Sequence, residues 1–286
     1  MLKYLIISIR PKQWYKNSLL FVGIVFSANV LNASMWVPVI LAFVYFCMLS
    51  AGEYLINDLF DIKRDQKHPI KCKRPIASGQ LKVSYALLFA LILIVVALLG
   101  SYLTVNTQFF MISASYVLLT LLYSLGLKRL IIADILAISV GFVLRAVAGC
   151  LAIGVFVSPW LIVCTLLLAL LLALGKRRSE LVSLGVKAAA HRASLSRYST
   201  GMLNQLIGIT TGASIVSYFM YTFFVGNYYM MVTAPFVVYG LFRYLFLIHQ
   251  KNFGSEPEKI LQDRPTLINL AVWILLVVLV LYKFTA

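Results

Sequence analysis

Apolar runs long enough to cross ~30 Å of hydrocarbon, at about 1.5 Å per helical residue, recur throughout this chain. They lie near 36–57, 83–103, 108–127, 131–154, 158–175, 202–225, 229–249 and 265–282, and a ninth stretch, 18–31, has only 14 residues. A chain patterned this way must fold in a bilayer. Composition agrees: 62% of the 286 residues are hydrophobic and 12% charged, where soluble domains carry roughly 25% charged residues. Two soluble domains, a secreted disulfide scaffold and a disordered tail are excluded. The cysteines (Cys47, Cys72, Cys150, Cys164) are scattered without metal-ligand spacing and read as spectators. The short apolar run Leu5 to Ile9, closed by Arg10, is too brief for a signal-peptide core.

The basic residues orient the spans. All of the 25 Lys and Arg except Arg145, inside a span, and Lys283, at the far end, fall in alternate connections. The connections near 32–35, 104–107, 155–157 and 226–228 carry none. By the positive-inside rule, this asymmetry predicts nine transmembrane helices, a cytoplasmic N-terminus and an outer C-terminus. The nine acids (Glu53, Asp58, Asp61, Asp65, Asp134, Glu180, Glu256, Glu258, Asp263) gather at or near cytoplasmic span ends. A channel or alternating-access carrier places polar groups at mid-membrane and on both faces. One polar face suits an enzyme that meets a lipid at the cytoplasmic boundary.

The sharpest local signal is Asn57-Asp58-Leu59-Phe60-Asp61-Ile62-Lys63-Arg64-Asp65. On a continuing helix, the 100° step per residue puts Asp58, Asp61 and Asp65 within an arc of about 60°, over about 10 Å of axis. Three like charges on one stripe call for a cation. Oxygen-only ligands point to Mg²⁺, which commonly joins protein carboxylates to substrate phosphates. The competing reading is a solvated helix end balanced by Lys63, Arg64 and Lys67. In the basic loop from Lys71 to Gly79, Arg74 precedes Pro75 and is a candidate phosphate ligand. Tyr123 and Lys128 end the fourth span, Asp134 opens the fifth, and Lys176, Arg177 and Glu180 follow the sixth. The segment Arg10 to Asn17, with Lys12, Lys16 and the headgroup-level Trp14 and Tyr15, reads as an anchor or a grip on a lipid phosphate. Arg145 lies eleven residues beyond Asp134, about 16 Å deeper on nearly the same helix face. A guanidinium there needs a partner, and a structural ion pair with Glu53 is expected. His68, His191 and His249 share no metal-binding spacing.

These residues resemble the UbiA-type polyprenyltransferase superfamily. The motifs are RPKQWxKN at 10–17, YLINDxxDxxxDxxHPxKxxRPIASG at 54–79, YSLGLK at 123–128, LRAxAG at 144–149, GKRxxEL at 175–181 and EPE…DRP at 256–265. The resemblance implies an all-α membrane protein, one domain over 1–286, with nine helices in a UbiA-like bundle. Aromatic prenyltransferases of the superfamily carry a second acidic pair, DxxxD, for a second Mg²⁺. Here Asp134 is followed four residues later by Ile138. That departure points to the phosphoribosyl-transferring subgroup, whose diphosphate donor is the sugar. The implied reaction moves 5-phosphoribose from phosphoribosyl diphosphate to a polyprenyl phosphate, a lipid-linked sugar chemistry of cell-wall synthesis. Mg²⁺ would sit on Asp58, Asp61 and Asp65. Lys128, Lys176 and Arg177 are assigned to the sugar 5-phosphate, and Lys12, Lys16 and Arg74 to the lipid phosphate. Asn17, Asn57, Tyr123, Asp134, Arg145 and Glu180 complete the candidate substrate-binding set. The partners implied are both substrates and the bilayer of the plasma membrane, with the site facing the cytoplasm. No nucleic acid is expected, and the reading leaves room for a homo-oligomer. The alternatives are an aromatic prenyltransferase with a polyprenyl diphosphate donor and, from another class, a transporter or flippase.

Overall fold

The computed structural model describes residues 2–68, 70–184, 195–250 and 262–283. Glu256, Glu258, His191 and four of the orienting basic residues (Lys187, Arg192, Lys251, Lys259) lie outside the described residues. The described chain is helical and contains no strand: α1 (Leu2–Ile9), α2 (Val22–Phe26), α3 (Ala33–Phe60), α4 (Ile62–Asp65), α5 (Val83–Gly100), α6 (Thr107–Leu125), α7 (Ala133–Ala152), α8 (Pro159–Leu184), α9 (Thr200–Phe224), α10 (Ala234–Gln250) and α11 (Arg264–Lys283). Polar side chains set several of the starts. Asn32, Asn106 and Ser199 accept hydrogen bonds from the amides of Ser34, Phe109 and Met202 at the heads of α3, α6 and α9.

Eight helices among the described residues are long and apolar enough to cross a membrane, close to the eight long runs in the sequence. Helix α8 outlasts its apolar run, continuing from 175 to Leu184 and carrying Lys176, Arg177 and Glu180 on helix. The ninth stretch takes a different form. Pro11–Phe21 is an eleven-residue 3-10 helix that runs into the five residues of α2. A 3-10 helix rises about 2 Å per residue against 1.5 Å for an α-helix. The segment's first residues, Pro11–Asn17, are largely polar and carry Lys12 and Lys16, and the segment is not among the eight helices long and apolar enough to cross.

The chain falls into two compact units: Met1–Lys128 with Val140–Val157, and Arg129–Ser139 with Ser158–Ala286. Helix α7 gives its opening turns to the second and the remainder to the first. In the first unit, Phe46, Phe109, Tyr116, Leu20, Leu49 and Ala148 form a buried cluster. Helix α5 meets α3 through Ala86, Ala90, Ile94 and Ala97, while Leu87, Leu88, Leu91, Val95, Val96 and Leu99 are exposed. Small residues bring helices close where lipid gives no hydrophobic drive for association. Gly149 shows this best: a Cβ there would lie 2.6 Å from the Leu20 carbonyl carbon, so α7 touches the backbone of the 3-10 segment. A third cluster (Leu5, Leu55, Ile76, Leu81, Ala86, Ala90) seats α1 and the loop after Arg74 on α3 and α5. It thereby places Arg10 and Arg74 beside the end of α3.

The second unit is built around Leu171, Leu174, Leu203, Ile207, Tyr244 and Ile248. Gly175 leaves room for the Tyr244 hydroxyl, which a Cβ would overlap. Asp263 heads α11, accepting from Thr266 Oγ1 at 2.8 Å, and its two oxygens take Arg243 Nη2 and Nε at 2.9 and 3.0 Å.

Candidate active site

The acidic row is not the uninterrupted helical stripe that the sequence suggests. Helix α3 ends at Phe60, and Asp61 has φ −100° and ψ 4°, the sparsely populated bridge region between helix and strand. Helix α4 then restarts and carries Asp65. The break separates the three carboxylates into a pair and a single. Asp58 and Asp65, 3% and 2% exposed, converge on one atom: Arg74 Nη1 lies 3.0 Å from Asp58 Oδ1 and 2.6 Å from Asp65 Oδ2. Arg10 Nη2 reaches the same Asp58 oxygen at 2.5 Å, and its guanidinium stacks 4.9 Å from the Tyr54 ring centre. Asp61 turns instead to Lys128, whose Nζ lies 2.8 Å from Oδ2, with Arg64 at 3.6 Å from Oδ1. Lys128 also donates to Asn57 Oδ1 at 3.1 Å, and Ser124 Oγ donates to that oxygen at 3.4 Å. Tyr123 is half-buried next to Ser124.

A divalent cation fits this donor set. Two buried carboxylates already meet at a point held by a cationic nitrogen, and every donor is a hard oxygen. Mg²⁺ is typically bound by one or two carboxylates, with water and substrate phosphate completing its octahedron. No three ligating side chains close into a metal cage among the described residues. The row is therefore an open platform formed by Asp58 and Asp65, with Asp61 on its flank.

Deeper in the same unit, Arg145 has partners other than the expected one. Its Nε donates to Asn17 Oδ1 at 2.8 Å, its Nη1 to the Gly141 carbonyl at 2.9 Å, and its Nη2 to the Tyr116 hydroxyl. No Arg145–Glu53 ion pair occurs among the described residues, and Glu53 instead accepts from Thr120 Oγ1. The reason is geometric: Tyr116, whose ring lies 4.6 Å beneath the guanidinium, takes the hydrogen bond that a carboxylate would have filled. Asn17 is thus a buried tie between the 3-10 segment and α7. Lys12, on that segment, is exposed; Lys16 is half-buried and lies 6.0 Å from the Tyr15 ring centre.

The second unit holds its own cluster. Asp134, 0% exposed, accepts from Arg177 Nε at 2.9 Å and from the Tyr198 hydroxyl at 3.0 Å. Arg177, 1% exposed, also donates to Glu180 Oε2 at 2.6 Å. Burial, then the neighbouring Asp134 carboxylate, pushes the Tyr198 phenol up to about 12, so it is a neutral donor at any physiological pH. Its oxygen in turn accepts from the Ile132 amide at 2.8 Å. Lys176 is half-buried on the same helix. Ile138, one turn beyond Asp134, is half-buried and packs against the apolar cluster of the second unit.

Sequence reasoning missed Arg10 and Tyr198. Arg10 is hidden among four basic residues near the N-terminus, and only its place immediately before Pro11 sets it apart. Nothing in the local sequence marks Tyr198.

Comparisons with known proteins identify the family. The model of the UbiA prenyltransferase family matches residues 18–262. The chain belongs to that family. It is therefore an enzyme, a transferase embedded in the membrane. It is 31% identical to the decaprenyl-phosphate phosphoribosyltransferase of Corynebacterium glutamicum, over 96% of this chain and 86% of that one. It is 33% identical to the protein of the same name from Mycolicibacterium smegmatis, over 94% and 90%. A solved UbiA homologue of Archaeoglobus fulgidus, bound to DMAPP and Mg²⁺, shares the fold with TM-score 0.75 at 19% identity, over 98% of this chain and 99% of that one.

Proposed function

We propose that this chain transfers 5-phosphoribose from phosphoribosyl diphosphate to a polyprenyl phosphate at the cytoplasmic face of the plasma membrane. The products are diphosphate and polyprenyl-phosphoryl-5-phosphoribose. The observation that carries this reading is a single carboxylate platform, Asp58 with Asp65, in a chain whose second acidic pair is lost to the core residue Ile138. One platform suits one diphosphate, carried by the sugar. Identity of 31–33% to two phosphoribosyltransferases along nearly the whole chain supports it.

The chemistry asks little of the protein in proton transfer. A lipid phosphate is already an anion at neutral pH, so its oxygen attacks C1 of the ribose without a general base, and no histidine is needed. The demanding part is the charge on the departing diphosphate. Asp58 and Asp65, with Asp61 beside them, would hold Mg²⁺, which supplies charge neutralisation to the leaving group. Lys128 and the guanidinium groups of Arg10 and Arg74, paired to these carboxylates, would meet the phosphoryl oxygens. Preorganised donors of this kind contribute roughly 10²–10³-fold each where charge develops. Lys12 and Lys16, on the segment tied down through Asn17, are proposed for the lipid phosphate. Arg177, held between Asp134 and Glu180, fixes the end of α8 and acts as a positioning residue.

The test uses membranes containing the full chain, supplied with Mg²⁺, polyprenyl phosphate and labelled phosphoribosyl diphosphate. Label in the lipid phase is expected. An unlabelled lipid phase, with prenylation of an aromatic acid from polyprenyl diphosphate, would move the chain to the aromatic prenyltransferases.

A further inference from the structure

Without metal, the acidic platform is already neutralised. Three carboxylates (Asp58, Asp61, Asp65) are matched by Arg10, Arg74 and Lys128, each within 3.0 Å, with Arg64 slightly farther off. A divalent ion added alone would have to displace a guanidinium from between two buried carboxylates, leaving that guanidinium without an anion. The displaced guanidinium, about a quarter exposed, gives up charge-assisted hydrogen bonds and faces a like-charged ion at close range, both of which cost free energy. A diphosphate arriving with the ion removes the cost, because it offers acceptors of the geometry that guanidinium groups bind best.

The backbone is built to hold both arginines at this point. Arg74 is extended, with φ −63° and ψ 140°, as the residue before a proline must be, and Pro75 leads into the loop anchored by Ile76 and Leu81. Arg10 has φ 51°, the left-handed region that non-glycine residues enter rarely, at the junction between α1 and the 3-10 helix. Such strain persists only where the surroundings outweigh it. Here the surroundings are the Tyr54 ring and the Asp58 carboxylate. The backbone of each arginine is fixed, while its long side chain can swing.

We propose that Arg10 and Arg74 are exchangeable counter-ions. They hold Asp58 and Asp65 in the resting enzyme and pass to the donor's phosphoryl oxygens when a divalent ion takes the carboxylates. Metal and diphosphate therefore bind cooperatively, each weakly alone. The inference rests on the preceding reading only in requiring a diphosphate ligand, whichever group the diphosphate carries.

The experiment is a binding titration of the purified full-length chain with Mn²⁺, a hard ion standing in for Mg²⁺, with and without saturating inorganic diphosphate. Wild type is expected to gain about tenfold or more in Mn²⁺ affinity when diphosphate is present, a coupling of ordinary allosteric size. Arg74→Gln is expected to bind Mn²⁺ alone more tightly than wild type and to lose most of the coupling; Arg10→Gln should shift the same way. Arg74→Lys, which keeps the charge, should stay close to wild type in Mn²⁺ affinity. The proposal is overturned if diphosphate leaves the wild-type affinity unchanged, or if both glutamine variants, folded by their thermal midpoints, bind Mn²⁺ no more tightly than wild type. Should the variants fail to fold, infrared difference spectra of wild type decide: the guanidinium and carboxylate bands must shift together when Mn²⁺ and diphosphate bind, and guanidinium bands that stay in place would overturn the proposal. Sugar transfer is not part of the readout. Cooperative binding without phosphoribosyl transfer would sink the donor assignment and leave the counter-ion exchange standing.

Discussion

Removing Arg177 should harm the protein more than removing the carboxylate it binds. Both groups are buried, and their other partners differ in kind: Asp134 also accepts from a neutral hydroxyl, while Arg177 also donates to a carboxylate. With Arg177→Met, the buried Asp134 carboxylate loses the guanidinium and retains, in the Tyr198 hydroxyl at 3.0 Å, a neutral donor. Breaking a buried pair in this way costs about 3–5 kcal/mol. With Asp134→Asn, Arg177 still has the Glu180 carboxylate at 2.6 Å, and the new amide oxygen can accept from either Tyr198 or Arg177. That loss is close to one charge-assisted hydrogen bond, about 1.5–3 kcal/mol. Converting both residues together (Arg177→Met with Asp134→Leu) should recover much of the larger loss, since no buried charge of the pair remains. Thermal unfolding of the purified protein in one detergent measures all three. Equal effects of the two single changes, or a larger effect of Asp134→Asn, would refute the reasoning, as would a double variant no better than Arg177→Met.

Three other outcomes follow from the same structure. Asp61→Asn should reduce transfer far more than Glu180→Gln, because Asp61 flanks the metal platform while Glu180 braces Arg177; equal, mild losses in a turnover assay would return the acidic row to a solvated helix end. Gly149→Ala should destabilise by about 1–3 kcal/mol through overpacking against the Leu20 carbonyl, seen as a lowered unfolding midpoint with unchanged helical content. The hydrogen bonds from Arg243 hold the Asp263 carboxyl well below the usual carboxylate range, so its contribution is present above the unfolded-state value and fades as the pH falls toward the folded one. Asp263→Asn should therefore lower the unfolding midpoint at pH 7, and the gap to wild type should begin to narrow below about pH 4. A gap constant with pH would contradict that assignment.

The sequence was informative where burial or charge follows a period and silent where partners are chosen by packing. Helices such as α5 and α9 are legible because hydrocarbon demands an unbroken apolar run, and their ends fall within a few residues of it. The acids and the loss of the second acidic pair at Ile138 are legible because their spacing is itself the signal. The break at Asp61 is not: Asn57 to Asp65 contains no proline or glycine and is compatible with a continuous helix. What interrupts it is the pull of separate cations, Arg74 on Asp58 and Asp65 and Lys128 on Asp61, from positions 9 to 67 residues away. The same holds for Arg145, whose partner Asn17 lies 128 residues upstream. Charge complementarity favoured Glu53, and the Tyr116 side chain decided otherwise. The 14-residue stretch near the N-terminus was too short by α-helical arithmetic, and the structure divides it among the end of a 3-10 helix, the five residues of α2 and the turns that follow, outside the eight helices long and apolar enough to cross.

The account stands on a divalent ion held by Asp58 and Asp65 against a departing diphosphate. The direct measurement is transfer of label from phosphoribosyl diphosphate to polyprenyl phosphate by the purified chain, first after exhaustive chelation and then with Mg²⁺ restored. Transfer should vanish with the chelator and return with the ion in wild type, but not return in Asp58→Asn. Undiminished transfer in the chelated enzyme would contradict the account.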